Sequence, residues 1–459
     1  MKRWALIIAC LAAFLPPFMG SSINLALPTI GKQFEMDAIL LGWVATSYLL
    51  SSAMFLLPFG RAADIYGRKK VFAFGIAIYT IGAALSAVAT SASMLILFRV
   101  LQGIGSAGIF GTGVAILTSV YPPQERGKAL GVNVASTYTG LSLGPFIGGI
   151  LTQYLGWRSV FYINIPFGLL ILFLIFSRLK GEWAEAKGEK IDYAGSLIYC
   201  LTLVLIMYGL SRLPSVLGAW LLVIGVGSAV IFFWWEAKST SPVLNVVIFK
   251  KNTVFTLSNL AALIHYSATF AVSFLLSLYL QYTKGLSAQS AGLILIFQPI
   301  MMAIFSPLAG RFSDRIEPRV VASLGMTCTC IALFLFSFIS TQTSLVYISG
   351  ILIFNGLGFA LFSSPNTNAV MSSVERRFYG VAAGTLGTMR LVGMMLSMGM
   401  VMMIFSVYMG KTRITPELYP LFLKSAKTAF VIFGVLCIAG IFSSLARGRI
   451  RQDPEVSRG

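Results

Sequence analysis

Residues 60–70 read Gly60-Arg61-Ala62-Ala63-Asp64-Ile65-Tyr66-Gly67-Arg68-Lys69-Lys70. One apolar run, about 38–58, ends at this stretch, and another, about 71–90, leaves it. A helix needs roughly 20 apolar residues to cross a bilayer, so the stretch reads as a charged connector between two membrane spans. Glycine lets two helix ends meet in a tight turn. Asp64 can accept from exposed N–H groups at a helix start, and Arg68 and Lys69 can pair with carboxylates or helix carbonyls. Such a connector suits a charged latch that forms in only one of two conformations.

Fourteen apolar runs of this kind follow one another, from 4–27 to 423–446. Of the 459 residues, 57% are hydrophobic and 11% are charged, against roughly 25% charged in an ordinary soluble domain. A soluble fold of this size cannot hide so much apolar surface. Soluble enzymes, disordered chains and disulfide scaffolds are excluded, and the expected class is an all-α polytopic membrane protein with 14 transmembrane helices. Lys2-Arg3 and the following apolar run imitate a signal peptide, and Ile7-Ile8-Ala9-Cys10 imitates a lipoprotein cleavage box. The region before Cys10 is too short for a signal sequence, and the run continues to Leu27, so it is read as the first span. All five cysteines fall in apolar runs and are expected to be packed free thiols; Cys328 and Cys330 do not share a helix face.

The formal charge of +19 would suggest nucleic acid in a soluble protein. Here the basic residues sit between the spans. Of 34 Lys and Arg, 24 fall in one set of connectors and the termini, 8 fall in the other, and Arg99 and Arg390 lie inside spans. The positive-inside rule then puts both termini in the cytoplasm of a cell-membrane protein. No nucleic-acid partner is expected, and the bilayer itself is the partner. The longest charged connector is 178–191, and 236–252 is a second long link. They divide the chain into a six-span bundle (1–180), a two-helix insert (181–252) and a second six-span bundle with a basic tail (253–459).

The two bundles echo each other. Gly310, Arg311 and Asp314 stand 250 residues after Gly60, Arg61 and Asp64, and Glu375-Arg376 echoes Glu125-Arg126. A six-helix repeat fits a transporter with its substrate site between the halves, near mid-membrane. Two further motifs carry chemistry. Arg99-Val-Leu-Gln102-Gly103 puts a cation and an amide on one face of span 4. An arginine at a span centre costs about 2.5–3.5 kcal/mol on insertion scales and faces a cavity or a partner, unless it snorkels. Gly140-Leu-Ser-Leu-Gly144-Pro145-Phe-Ile-Gly148-Gly149 offers a smooth packing face, and Pro145 removes one backbone bond and bends the helix.

Together these three motifs resemble the major facilitator superfamily. The 140–149 segment resembles the signature of its exporters, and fourteen spans resemble its drug:proton antiporter group, which has two extra central helices. Asn24-Leu-Ala-Leu-Pro28, Trp43-Val-Ala-Thr-Ser-Tyr48, Gly156-Trp157-Arg158 through Pro166, and Arg390 with Gly393 support the likeness. The resemblance implies an exporter of hydrophobic or amphipathic small molecules working by alternating access, with H+ as the coupling ion and no cofactor. It also implies a latch at Gly60, Arg61, Asp64, Gly67, Arg68, Lys69, Gly310 and Asp314. Coupling or cavity roles would fall to Arg99, Gln102, Gly103, Asn24, His265 and Arg390, and a hinge role to Gly140, Gly144, Pro145, Gly148 and Gly149.

One departure matters. The group carries an aspartate in span 1 where this chain has Met19, and no acidic residue lies deep in a span. Titratable candidates are therefore Glu35, Asp37, Asp64 and His265, the sole histidine. The unperturbed imidazole pKa of about 6.5 suits proton exchange. Arg390, also inside a span, would attract an anionic group or repel a cation. Asn133, Gln281, Gln298, Asn355 and Asn366 are further polar candidates. The second reading is a dedicated exporter of one metabolite, with Arg390 favouring an anionic one, or an uncoupled facilitator. An intramembrane enzyme would need clustered His, Asp, Glu or Cys, and no Gly-x-x-x-x-Gly-Lys-Ser/Thr loop offers an ATP site; neither an enzyme nor a pump is expected.

Overall fold

The computed structural model describes residues 1–239, 241–375 and 379–448. Arg376 of the second Glu-Arg echo, and the tail beyond 448, lie outside that description. The described residues form helices and connectors. Among the described residues, fourteen helices are long and apolar enough to span a membrane: Lys2–Gln33, Ala38–Tyr66, Arg68–Ala87, Ala92–Val120, Gln124–Leu155, Ser159–Arg178, Tyr193–Arg212, Val216–Glu236, Thr253–Thr283, Ala288–Arg315, Pro318–Phe336, Leu345–Ser372, Tyr379–Tyr408 and Pro416–Ala446. They are called spans 1 to 14. The face holding Lys2 and Arg447 is called proximal, and the opposite face distal.

Helix starts follow local chemistry. The first N–H groups of a helix have no partner within it. Spans 2, 4, 7, 8, 9, 10 and 12 open on Asp37, Ser91, Asp192, Ser215, Asn252, Ser287 and Ser344, whose side chains accept from an N–H of the first turn. Span 3 starts differently. It follows Gly67, at φ 118, which has no side chain to offer. Gly60, by contrast, lies inside the span 2 helix, so the turn begins only at Gly67.

Packing repeats between the halves. Span 4 packs on spans 2 and 3, span 5 on span 1, and span 6 on span 3; span 12 packs on spans 10 and 11, span 13 on span 9, and span 14 on span 11. Each pairing recurs eight spans later. The insert lies at the edge of this arrangement, and span 8 is the least buried of the fourteen. Span 7 touches both halves: Tyr199 OH donates to Ala53 O of span 2 (3.0 Å), while Met207 lies against Gly399 of span 13. Pro58 lacks an N–H, so Met54 O is released from the span 2 helix, and Cys200 Sγ donates to it (3.4 Å). All five cysteines are free thiols.

Candidate functional site

The halves meet along spans 2 and 13, where a Cβ built at Gly42 would fall 2.6 Å from Met402 Cγ and one at Gly387 would fall 3.7 Å from Leu56 Cδ2, and through polar contacts at the distal face. Pro28 cannot bond Asn24 O within span 1, and Ser277 Oγ of span 9 donates to that carbonyl instead (2.6 Å). Beside it, Gln281 Nε2 donates to Leu25 O (3.2 Å). Gln281 belongs to a single π turn, Tyr279–Thr283, a departure from α geometry that often marks functional positions. Tyr154 OH donates to Gln289 Oε1 (3.1 Å), and Arg413 pairs with Glu35 across the seam (2.6 Å). Asp37, also distal, is held as the cap of span 2, accepting from Leu40 N. At mid-height, Tyr138 of span 5 reaches Ser363 of span 12 (3.3 Å).

The exporter-like segment has two faces. Alanine Cβ atoms built at Gly140, Gly144 and Gly148 would strike Phe14 O (2.4 Å), Ser21 Oγ (1.8 Å) and Ser22 Cα (2.7 Å), all on span 1. One built at Gly149 would strike Ala288 O of span 10 (2.6 Å), and Gly292 of span 10 approaches Pro145 O (2.3 Å from its own built Cβ). Three glycines thus bind span 5 to its own half, while Pro145 and Gly149 form the contact between halves. Nearer the proximal end of span 5, a Cβ at Gly127 or Gly131 meets nothing within 4 Å. Span 5 is gripped distally and uncovered proximally.

Between the halves lies a small cavity of about 40 Å³, lined by Ser21, Asn24, Pro145, Ser273, Gln298 and Met302 among others. That is room for a water molecule or two. Buried Gln298 Oε1 has no hydrogen-bond partner among the described residues. Asn24, expected at the cavity, lines it.

Other predicted residues lie elsewhere. Arg99 is 1% exposed, so it does not snorkel. Its Nε donates to Val44 O (3.1 Å), its Nη1 donates to Gln102 Oε1 (2.7 Å), and its guanidinium lies 4.3 Å from the Tyr48 ring centroid. It is packed inside the first bundle, not on the cavity between the halves. Gly103 lets span 4 touch span 2: Ser52 Oγ donates to Gly103 O, and a Cβ there would fall 2.0 Å from Ser51 Oγ. Met19 is fully buried beside Asn164 Nδ2 (3.4 Å), and Asn164 Oδ1 accepts from Tyr79 OH (3.2 Å). His265 is fully buried, with its ring 4.0 Å from Phe362 and 4.9 Å from Phe359. Neither nitrogen has a partner among the described residues. Arg390 is half-buried; it donates to Thr367 Oγ1 (2.6 Å) and lies 5.6 Å from the Tyr266 ring.

Two of the other polar candidates act as braces, while the buried Asn355 amide has no hydrogen-bond partner among the described residues. Asn133 Nδ2 donates to Ala9 O (3.0 Å), and Asn366 Nδ2 donates to Ser258 O (3.0 Å). Asn366 Oδ1 accepts from Arg447 Nη1 (2.8 Å). Arg447 reads as an interfacial charge in the sequence, yet it is 1% exposed. Nothing in its local pattern signals that burial.

Of the predicted latch residues, Arg61, Asp64, Arg68 and Lys69 gather together, apart from Gly310 and Asp314, and with a partner the sequence did not indicate. Arg68 bonds Asp64 (2.8 Å), Ser119 of span 4 (2.6 Å) and Glu185 (2.7 Å). Arg61 pairs with Glu189 (2.5 Å), Lys69 N donates to Glu182 Oε1 (2.8 Å), and Lys69 Nζ donates to Leu179 O (2.5 Å). Glu182, Glu185 and Glu189 belong to the 178–191 connector, on the same side as the turn. In the second half, Asn368 of span 12 donates to Asp314 (3.3 Å), and Gly310 lets span 10 approach Ser364.

Two repeat-related bundles, joined along one face around a central cavity, are the architecture of a membrane transporter. The Major Facilitator Superfamily model matches residues 9–398 and 258–458. The chain is 31% identical over 393 residues to the riboflavin transporter RibZ of Clostridioides difficile (strain 630), covering 85% of each chain. It is 27% identical over 399 residues to the multidrug resistance protein Stp of Mycobacterium tuberculosis (strain CDC 1551 / Oshkosh), covering 85% of this chain and 73% of that one. Its fold matches a bacterial homologue of the human lysosomal transporter Spinster, in an inward-facing and unoccupied conformation, at a TM-score of 0.68 and 18% identity over 99% of both chains. The chain belongs to the major facilitator superfamily.

Proposed function

We propose that this chain exports hydrophobic or amphipathic small molecules across the cell membrane by alternating access, with H+ as the counter-ion. The proximal face and both termini lie in the cytoplasm, and the moving parts are residues 1–180 and 253–459, with the 181–252 insert between them. The observation that carries this reading is the distal seam. Hydrogen bonds, the Glu35–Arg413 pair and the Pro145/Gly149 face join the halves there, while span 5 is uncovered toward the proximal end. That asymmetry is what a cytoplasm-facing state of a rocking transporter requires. The basic excess on the proximal connectors supports the orientation.

The test is ethidium transport by purified protein in liposomes, with and without a pH gradient. Gradient-driven ethidium export is the expected result. Export that ignores the gradient reassigns the chain to uncoupled facilitation. A second reading, a dedicated exporter of an anionic metabolite, draws on one observation: Arg390 stands in a membrane interior that holds no acidic residue. A thermal-shift comparison of cationic, neutral and anionic compounds separates the two.

A further inference from the structure

We propose that residues 182–189 form an intramolecular counter-ion strap for the 60–70 turn, and that the strap favours the cytoplasm-facing state by keeping Arg61 and Arg68 from the C-terminal half. The proposal rests on the alternating-access reading. Its basis is the match between three glutamates and three separate needs of the turn.

Span 3 cannot cap itself, because Gly67 has no side chain. The strap supplies both missing acceptors: Lys69 N donates to Glu182 Oε1 (2.8 Å), and Arg68 N donates to Trp183 O (2.8 Å). Gly67 also makes room for the strap, since a Cβ there would fall 2.4 Å from the Glu182 carboxyl carbon. Glu185 takes the Arg68 fork through both oxygens, at 2.7 and 2.9 Å. Glu189 takes Arg61. A backbone bond from Ala186 N to Asp64 O (2.9 Å) fixes the register.

The side chains of Glu185 and Glu189 are 68% and 53% exposed. The arginine sides are more covered, Arg68 at 9% and Arg61 at 19%, but pairs open to water on the carboxylate side are screened and individually modest, which suits an exchangeable tie. The strap is also continuous with the insert. It leads to Asp192, which accepts from Trp235 Nε1 (2.9 Å) and Ser239 Oγ (2.7 Å) at the second linker. Glu236 holds that linker by accepting from Leu244 N (2.8 Å).

The experiment reads conformation without any cargo. Ser277→Cys, seated in the distal seam and fully buried, is placed in a cysteine-free background and labelled from outside with an impermeant maleimide. In the triple variant Glu182→Gln, Glu185→Gln, Glu189→Gln, the labelling rate rises about three- to tenfold, the scale expected from losing a few exposed charge pairs. An unchanged rate at normal surface level and normal melting temperature overturns the strap. Should the triple variant fail to reach the membrane, the unmodified strap is tested by salt. Raising ionic strength on the strap side screens exposed pairs, so the labelling rate rises; salt-independent labelling overturns the proposal. A Gly149→Ala wedge in the distal seam separates two kinds of failure. If the wedge increases labelling and the strap variant does not, only the strap is wrong. If neither does, the reading of the distal seam as the moving contact, on which the strap rests, is wrong.

Discussion

Replacing Gly149 by alanine inserts one methyl carbon into the contact between halves. The new Cβ would lie 2.6 Å from Ala288 O and 3.1 Å from Gln289 Cα. Both are backbone atoms, so no flexible side chain can swing aside. Ordinary contact begins near 3.4 Å, so spans 5 and 10 must part by about 0.8 Å at that point. Overpacking of this kind costs about 1–3 kcal/mol. The cost falls on the distally closed state alone, because the two spans separate when the distal face opens. A bias of about 1–3 kcal/mol changes a two-state ratio by about 5- to 150-fold. The expected outcome is a large rise in external labelling of Ser277→Cys, with slower export because the return to the cytoplasm-facing state becomes unfavourable. Gly148→Ala is the control. Its Cβ would strike Ser22 Cα at 2.7 Å within the same half, so the strain persists in both states and lowers the melting temperature without shifting labelling. If Gly149→Ala labels like the parent while Gly148→Ala melts early, the assignment of Gly149 to the moving contact is refuted.

Arg99→Lys keeps the charge but loses the planar fork that bonds Val44 O and Gln102 together; denaturation should show a loss of about 1–3 kcal/mol, and an undiminished midpoint would contradict the packing role. His265→Phe places an apolar ring among Phe359, Phe362 and Tyr266, so melting temperature and the pH profile of export should both be retained; a lost pH response would instead make His265 a proton carrier. Burial pushes the Asp192 carboxyl up, but bonds from Gly195 N, Ser239 Oγ and Trp235 Nε1 outweigh this and hold it below its ordinary value. A depressed carboxylate pKa stabilises the folded junction above the unfolded value of about 3.9 and loses that contribution as pH falls through the folded value. In a Glu236→Gln background, which removes the neighbouring carboxyl at this junction, Trp235 emission should therefore stay flat from neutral pH down to about 5 and change only in stronger acid; a transition near neutrality would contradict the network.

How much was legible follows from how local each property is. Span number needs only a run of about 20 apolar residues, and Asp37, Ser91 and Ser344 mark helix starts within three residues of the groups they cap. The repeat was visible because Gly60, Arg61 and Asp64 recur together at Gly310, Arg311 and Asp314. The glycines of 140–149 announced close packing, but not that Gly140, Gly144 and Gly148 face span 1 while Gly149 faces span 10. Lone polar residues were harder to read: nothing near His265 or Arg447 in the chain reveals the rings or helices that enclose them.

The sequence by itself determined the fourteen helices, the twofold repeat and the membrane setting, because hydrophobic length and short-range capping act within a few turns of one chain segment. Tertiary structure decided which partner each charge takes. Arg61 and Arg68 had several glutamates to choose from by chemistry alone; only the path of the 178–191 connector over Gly67 brings Glu182, Glu185 and Glu189 within reach. Tertiary structure also decided which face is closed, through Asn24 O, freed by Pro28 and taken by Ser277 from 253 residues away. Such contacts form between rigid bodies whose relative placement has two stable solutions, and a linear pattern shared by both solutions cannot single out one.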